Sequence, residues 1–166
     1  NQGTPERGTC ALGDRHLFGT LQLSPAFGRS FTVEEDSYGA TPVALISYGL
    51  WQSHFAANPS ILGRIVSLNG KSTEIIGVLP TGFEMPDGAR PSFLLPMRLR
   101  VGGERQRIVQ VVARVHVGVK SETVQKHFEP LFQRLLESVP SDFRKAISAK
   151  FYTANVRDYR TSSYRS

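Results

Sequence analysis

Ile61-Leu62-Gly63-Arg64-Ile65-Val66-Ser67-Leu68-Asn69-Gly70-Lys71-Ser72-Thr73-Glu74-Ile75-Ile76-Gly77-Val78 is the stretch from which the fold can be read. Two runs rich in β-branched and apolar residues, 61–68 and 73–78, flank Asn69-Gly70. Asn-Gly between such runs marks a two-residue type I′ turn, because both central residues take positive φ and these two do so at least cost. The stretch predicts a β-hairpin, closed at its far end by Leu79-Pro80. Gly70-Lys71-Ser72 also ends like a phosphate-binding loop. The glycine that such a loop requires five residues earlier is replaced by Ile65, so the hairpin accounts for Gly70 without a nucleotide.

Upstream, Pro42-Val43-Ala44-Leu45-Ile46 is a compact apolar run that predicts a buried strand. Ser47 then stands where it can cap a helix through Ala57, with Leu50, Trp51, His54 and Phe55 on one broad face and Asn58-Pro59 as its stop. A hydrolase nucleophile at Ser47 would need glycine two residues before it to permit the strained turn, and Leu45 occupies that position. The histidines, His16, His54, His116 and His127, are scattered without an orienting carboxylate in the pattern, so Ser47 reads as a cap. Thr32 with Glu35 fits a capping box, and Glu34 and Asp36 suit the first turn of a helix. The same three carboxylates lack the alternating spacing of a calcium loop. Earlier still, Ala11–Leu23 reads as a strand or short helix leading to Ser24-Pro25, after a polar start (residues 1–10) expected to fray.

Downstream, Gly82–Pro96 carries glycine, proline and aromatics, with one short strand predicted at Ser92–Leu95. Residues 98–107 read as a charged loop and Ile108–Val117 as a valine-rich strand. Ser121 opens the longest predicted helix, whose Val124, Phe128, Leu131, Phe132, Leu135 and Val139 form one apolar stripe suited to a sheet. Pro130 is expected to kink or interrupt it, at up to about 3 kcal/mol in an unrelieved interior, and Pro140 to end it. Lys150–Tyr159 alternates like a final strand, before a polar tail expected to be loose. Strands and short helices, a hairpin, then strand–helix–strand make an α+β pattern.

Composition bounds the function classes. The 166 residues, 40% hydrophobic and 20% charged, amount to about one domain, and no window approaches the roughly 18 consecutive apolar residues of a membrane span. Cys10 stands alone, which excludes an internal disulfide framework and a four-cysteine zinc site. With nothing near it to activate the thiol, it reads as an exposed cysteine without chemistry. The net charge of +6 and a pI near 9.8 permit nucleic acid or an anionic surface as partner. The basic residues, however, gather at Arg98, Arg100, Arg105 and Arg107 and at Arg157, Arg160 and Arg165, in a loop and a terminal segment, without a basic helix or a nucleic-acid motif. A basic nucleic-acid-binding or general protein-interaction module is the alternative reading. The start, Asn-Gln-Gly-Thr-Pro, has no Met and no signal-peptide core, and reads as a segment of a longer protein.

A series of motifs goes further. Phe27-Gly28-Arg29-Ser30-Phe31-Thr32-x-Glu34-Glu35-Asp36 is followed by Pro42–Gln52, by Asn58-Pro59-Ser60-Ile61-Leu62-Gly63-Arg64, by Leu68-Asn69-Gly70, and by Ile76-Gly77-Val78-Leu79-Pro80-x-Gly82-Phe83. In order and spacing this resembles the MacB-like periplasmic core domain of bacterial ABC-transporter permeases, especially the large acidobacterial type, over about residues 14–158. Val111–Val115 resembles the returning strand of that domain, although His116-Val117-Gly118 replaces the Lys-Pro-Gly turn often found there.

The resemblance implies a two-lobed α+β domain of small mixed sheets with packed helices. Residues 1–24 would join from a missing first part of a porter-like lobe. Residues 25–97 would form an inserted lobe containing the hairpin, 98–107 a charged loop, 108–158 the strand–helix–strand of the porter-like lobe, and 159–166 a polar tail. It implies a periplasmic portion of a cytoplasmic-membrane protein, without catalysis, cofactor, metal or nucleic acid, and with the ATPase in a separate domain or subunit. The expected partners are a periplasmic adaptor or export substrate and, through the full permease, the cytoplasmic ATPase, with a second copy possible across an exposed sheet edge. Arg98, Arg100, Arg105 and Arg107 are the candidate partner surface; Gly28, Arg29, Trp51, Gly63, Arg64, Asn69 and Gly70 are the candidate structural motif.

Overall fold

The structure, a computed structural model, describes residues 8–98 and 111–137. They fall into two units, 1–114 and 115–166. The first contains one six-stranded mixed sheet built from β1 (Cys10–Gly13), β2 (Phe27–Gly28), β3 (Val43–Ile46), β4 (Ile65–Leu68), β5 (Lys71–Val78) and β6 (Phe93–Pro96). The strand order is β1-β6-β3-β5-β2, with β4 also on β5. β1 runs parallel to β6 and β3 parallel to β5; the β3/β6, β2/β5 and β4/β5 pairs are antiparallel. The α+β architecture read from the sequence is the one observed.

The hairpin is present as expected. Asn69 and Gly70 take φ of 50° and 76°, and Leu68 pairs with Lys71 across them. Its first strand is shorter than the pattern, because Pro59–Ile61 forms a 3-10 turn, capped by the Asn58 side chain, before the chain turns into β4. β5 is the hub. Its first half pairs with β4, its last two residues pair with β2, and β3 lies along its other side. A register shift between Ala44 and Leu45 leaves Ile76 as an extra residue on β5.

β3 is buried on both faces, which is why its four residues are continuously apolar rather than alternating. Val43 and Leu45 pack with Phe18, Phe31, Ile76, Leu79, Phe83 and Leu94. Ala44 and Ile46 pack on the opposite face with Ile61, Ile75 and Val78. Each fully buried Leu or Ile contributes about 1.5–3 kcal/mol by leaving water. The first face is covered by α1 (Leu17–Leu21), which contributes Phe18, and by the Phe31 and Phe83 loops; the second by α2 (Tyr48–Phe55). Thus Ala11–Leu23 supplies both a strand and a helix. Cys10 is exposed within β1, and Thr9, expected in a fraying start, accepts the backbone N–H of Phe93 at 3.1 Å.

Ser47 caps α2 as expected: its Oγ accepts the Leu50 N–H at 3.2 Å, and Ala56 ends the helix in the left-handed conformation. The Thr32–Glu35 capping box also forms, with Glu35 Oε2 accepting the Thr32 N–H at 2.9 Å and Thr32 Oγ1 accepting the Glu35 N–H at 3.3 Å. It caps one turn rather than a helix, because the chain bends away at Ser37-Tyr38-Gly39, where Gly39 has φ 84°.

In the second unit, α3 (Ser121–Glu137) is the described element. It runs through Pro130 without the interruption expected there: the missing donor removes one bond, and the Gln133 side-chain amide donates to Glu129 across that turn at 2.8 Å. The valine-rich strand expected over Ile108–Val117 is not seen in its described part. Residues 111–116 are irregular, no described strand pairs with them, and Val111 is 88% exposed. The strand expected at Lys150–Tyr159, the end of α3 near Pro140 and the polar tail lie outside the described residues.

Candidate functional site

Apart from Asn69 and Gly70 at the hairpin turn, the motif residues collect in two places on the sheet. The first is a bracket around α2. Trp51 stacks on Phe27 of β2 with ring centroids 5.9 Å apart, and meets Tyr48 edge-on at 5.5 Å. Its indole N–H donates to the Asn58 carbonyl at 2.9 Å, so one side chain ties the helix to the sheet and to the turn after it. Arg64 lies over the Phe55 ring at 5.1 Å, a cation–π contact that covers the helix end. Gly63 donates its N–H to Ile75 at 2.8 Å and Arg64 accepts from Ile75 at 2.9 Å, joining the turn to β5.

The second place is the turn after β2. Gly28 has φ 79°, and a Cβ there would collide with the Ile76 carbonyl oxygen and lie 2.8 Å from the Gly77 Cα. Gly28 and Gly77 are register partners, so β2 and β5 approach more closely than side chains allow. Arg29 then forks onto Glu35, Nη1 to Oε2 and Nη2 to Oε1, each at 2.7 Å. This bidentate pair holds the Glu35 carboxyl below its usual range against the opposing effect of burial, and raises Arg29. Glu34 is also lowered, by its own backbone N–H and then by the Thr32 hydroxyl. Asp36 accepts the backbone N–H groups of Arg15 and Arg98. Glu35 and Asp36 are therefore engaged within the fold, and among the described residues no group of three metal-ligating side chains comes together.

Of the candidate partner surface, Arg98 is described. It is half-buried, with Nε donating to the Glu35 carbonyl at 2.8 Å and Nη2 to the Thr41 carbonyl at 2.6 Å. Nothing in the sequence pattern distinguished it from its basic neighbours; the signal that could have done so is its place two residues after β6, opposite an acidic turn. Arg100, Arg105 and Arg107 lie outside the described residues.

A cleft of about 200 Å³ opens between the start of α2 and the 82–92 loop, lined by Ser47, Tyr48, Leu79, Phe83, Arg90 and Pro91 among others. Arg90 at its rim is paired with Glu84, Nε to Oε1 at 2.6 Å, and the Ser47 N–H donates to Ser92 at 2.8 Å. The loop is thereby pinned to α2. Ser47 itself faces the cleft as a helix cap rather than as half of a nucleophile–base pair.

A family model for the MacB-like periplasmic core domain matches residues 1–131. The chain belongs to that family. The match starts earlier and stops earlier than the span of about 14–158 read from the motifs, ending within α3. This MacB-like domain, of the kind found in ABC-transporter permeases, also has a likeness among solved structures. A domain described as that of a permease protein from Porphyromonas gingivalis superposes with a TM-score of 0.53 at 16% identity, over 80% of this chain and 62% of that one. That likeness is one of fold, and the chain spans about three-fifths of the solved structure's length. None of the curated proteins matches it. No described helix is long and apolar enough to cross a membrane.

Proposed function

We propose that this MacB-like domain works as a non-catalytic lever and docking surface on the outer side of the cytoplasmic membrane. There it passes conformational change from an ABC-transporter permease to a periplasmic adaptor or to the exported substrate. The observation that carries the reading is the family match over residues 1–131, combined with what the motif residues do: they brace the sheet instead of facing a reaction centre. A lever needs a stiff body, and the two cores on either face of β3 provide one. We assign residues 25–97 to the inserted lobe and 108–158 to the porter-like lobe, with 98–107 as a loop and 159–166 as a tail. Residues 1–24 are the segment entering from the porter-like lobe, although its β1 and α1 are built into the same sheet and core as 25–97. ATP hydrolysis belongs to a separate domain or subunit. Docking falls on residues 82–96, the loop that leads into β6 together with that strand, and on residues 98–107, with Arg100, Arg105 and Arg107 as the contacting cations, while Arg98 is tied to the 35–41 turn.

The deciding experiment is protease treatment of spheroplasts carrying the full-length parent, followed with an antibody against this segment. Cleavage from outside is expected. A segment that is protected and recovered in the soluble fraction overturns the reading. Replacing Arg100, Arg105 and Arg107 together by alanine is expected to weaken partner binding and transport; unchanged values remove that surface.

A further inference from the structure

Asp36 joins stretches that are distant in sequence. Its Oδ2 accepts the Arg15 N–H at 3.0 Å, just ahead of α1, and its Oδ1 accepts the Arg98 N–H at 3.1 Å, two residues past β6. Arg98 reaches back with its guanidinium to the carbonyls of Glu35 and Thr41, on the same turn. Its backbone has φ 49°, a left-handed conformation that a residue with a Cβ keeps only where its surroundings impose it. The turn that imposes it is itself held by the Arg29–Glu35 fork and the Thr32–Glu35 box. These bonds lie at the rim, and neither Asp36 nor Arg98 belongs to the two buried clusters.

We propose that the turn over residues 34–41, which follows the buried Phe31, is a latch on the chain's exit from the sheet. Asp36 and the two carbonyls clamp Arg98, and one opening step frees Arg15 and Arg98 together while the sheet stays folded. The separation of scale is physical: rim bonds that bury little apolar surface open at far lower free energy than strands buried on both faces. The latch follows from the geometry alone. Its use, as the first step that a pull through residue 98 would reach, rests on the lever reading above.

Amide hydrogen exchange on the 166-residue chain tests it without reference to transport. In Asp36→Ala, the Arg15 and Arg98 amides are expected to exchange about tenfold faster, while those of Ala44–Ile46 keep their protection. Asp36→Asn keeps the shape but offers one accepting oxygen, so at least one of the two amides accelerates, which keeps the test open should the alanine variant fold poorly. Arg98→Gly eases the backbone and removes the guanidinium; a single latch then speeds exchange at Arg15 as well. Unchanged amides in both Asp36 variants overturn the proposal. So does a response to Arg98→Gly confined to residue 98, and so does acceleration of β3 in step with the rim.

Discussion

Gly28 and Glu35 show how much a single motif position can determine. At Gly28 the positive φ and the oncoming Ile76 carbonyl exclude any side chain. Gly28→Ala is therefore expected to destabilise the domain by about 2–4 kcal/mol, read as a lower urea midpoint at unchanged slope. At Glu35 the depressed carboxyl has a consequence in pH. A group whose folded pKa lies below its unfolded value stabilises the fold above the unfolded pKa, near 4.3 for Glu, and that contribution is lost as pH falls through the folded pKa. Wild type should lose part of its thermal stability on acidification through that window. Arg29→Gln, which removes the main cause of the shift, should flatten that part of the profile; identical profiles would mean that the fork adds nothing in solution. The capping box, the Asn69-Gly70 turn and the Ser47 cap could all be read from sequence, because each is decided by neighbours within three residues. The role of Arg98 could not, because its partners lie 57 to 63 positions away.

At the scale of elements, α2 depends on one aromatic. Trp51→Ala removes the Phe27 and Tyr48 contacts and the bond to Asn58, and should cost about 3 kcal/mol. Trp51→Phe keeps a ring but leaves the Asn58 carbonyl without its indole donor, for about 1 kcal/mol. Circular dichroism melts of the two variants separate stacking from hydrogen bonding. β3, α2, β6 and the hairpin are legible because apolar runs and caps are local signals. The pairing of β1 with β6 and of β3 with β5 is not, since parallel partners are chosen by tertiary packing. β2 is only two residues long, too short to leave a periodic trace. The strand read into Ile108–Val117 shows the converse in its described part: β-branched composition alone does not make a strand where no described ladder pairs with it.

At the scale of the molecule, every described residue of the two buried clusters lies between Phe18 and Leu94. A chain ending at Arg114 is accordingly expected to keep the sheet and a cooperative melt, checked by circular dichroism and by retained amide protection in β3 and β5. Loss of that transition would show that the sheet needs residues of the second unit. The place of β1 at the end of the strand order carries one more consequence, in time rather than in space. The hairpin joins residues that are neighbours in the chain, whereas the Ser92 N–H reaches Thr9 across 83 positions. Closing the longer loop costs more chain entropy, so β4 and β5 zip early and β1 docks late. While a ribosome is still extending the chain, β1 leaves it well ahead of residue 93 and must wait for that residue before it can pair with β6.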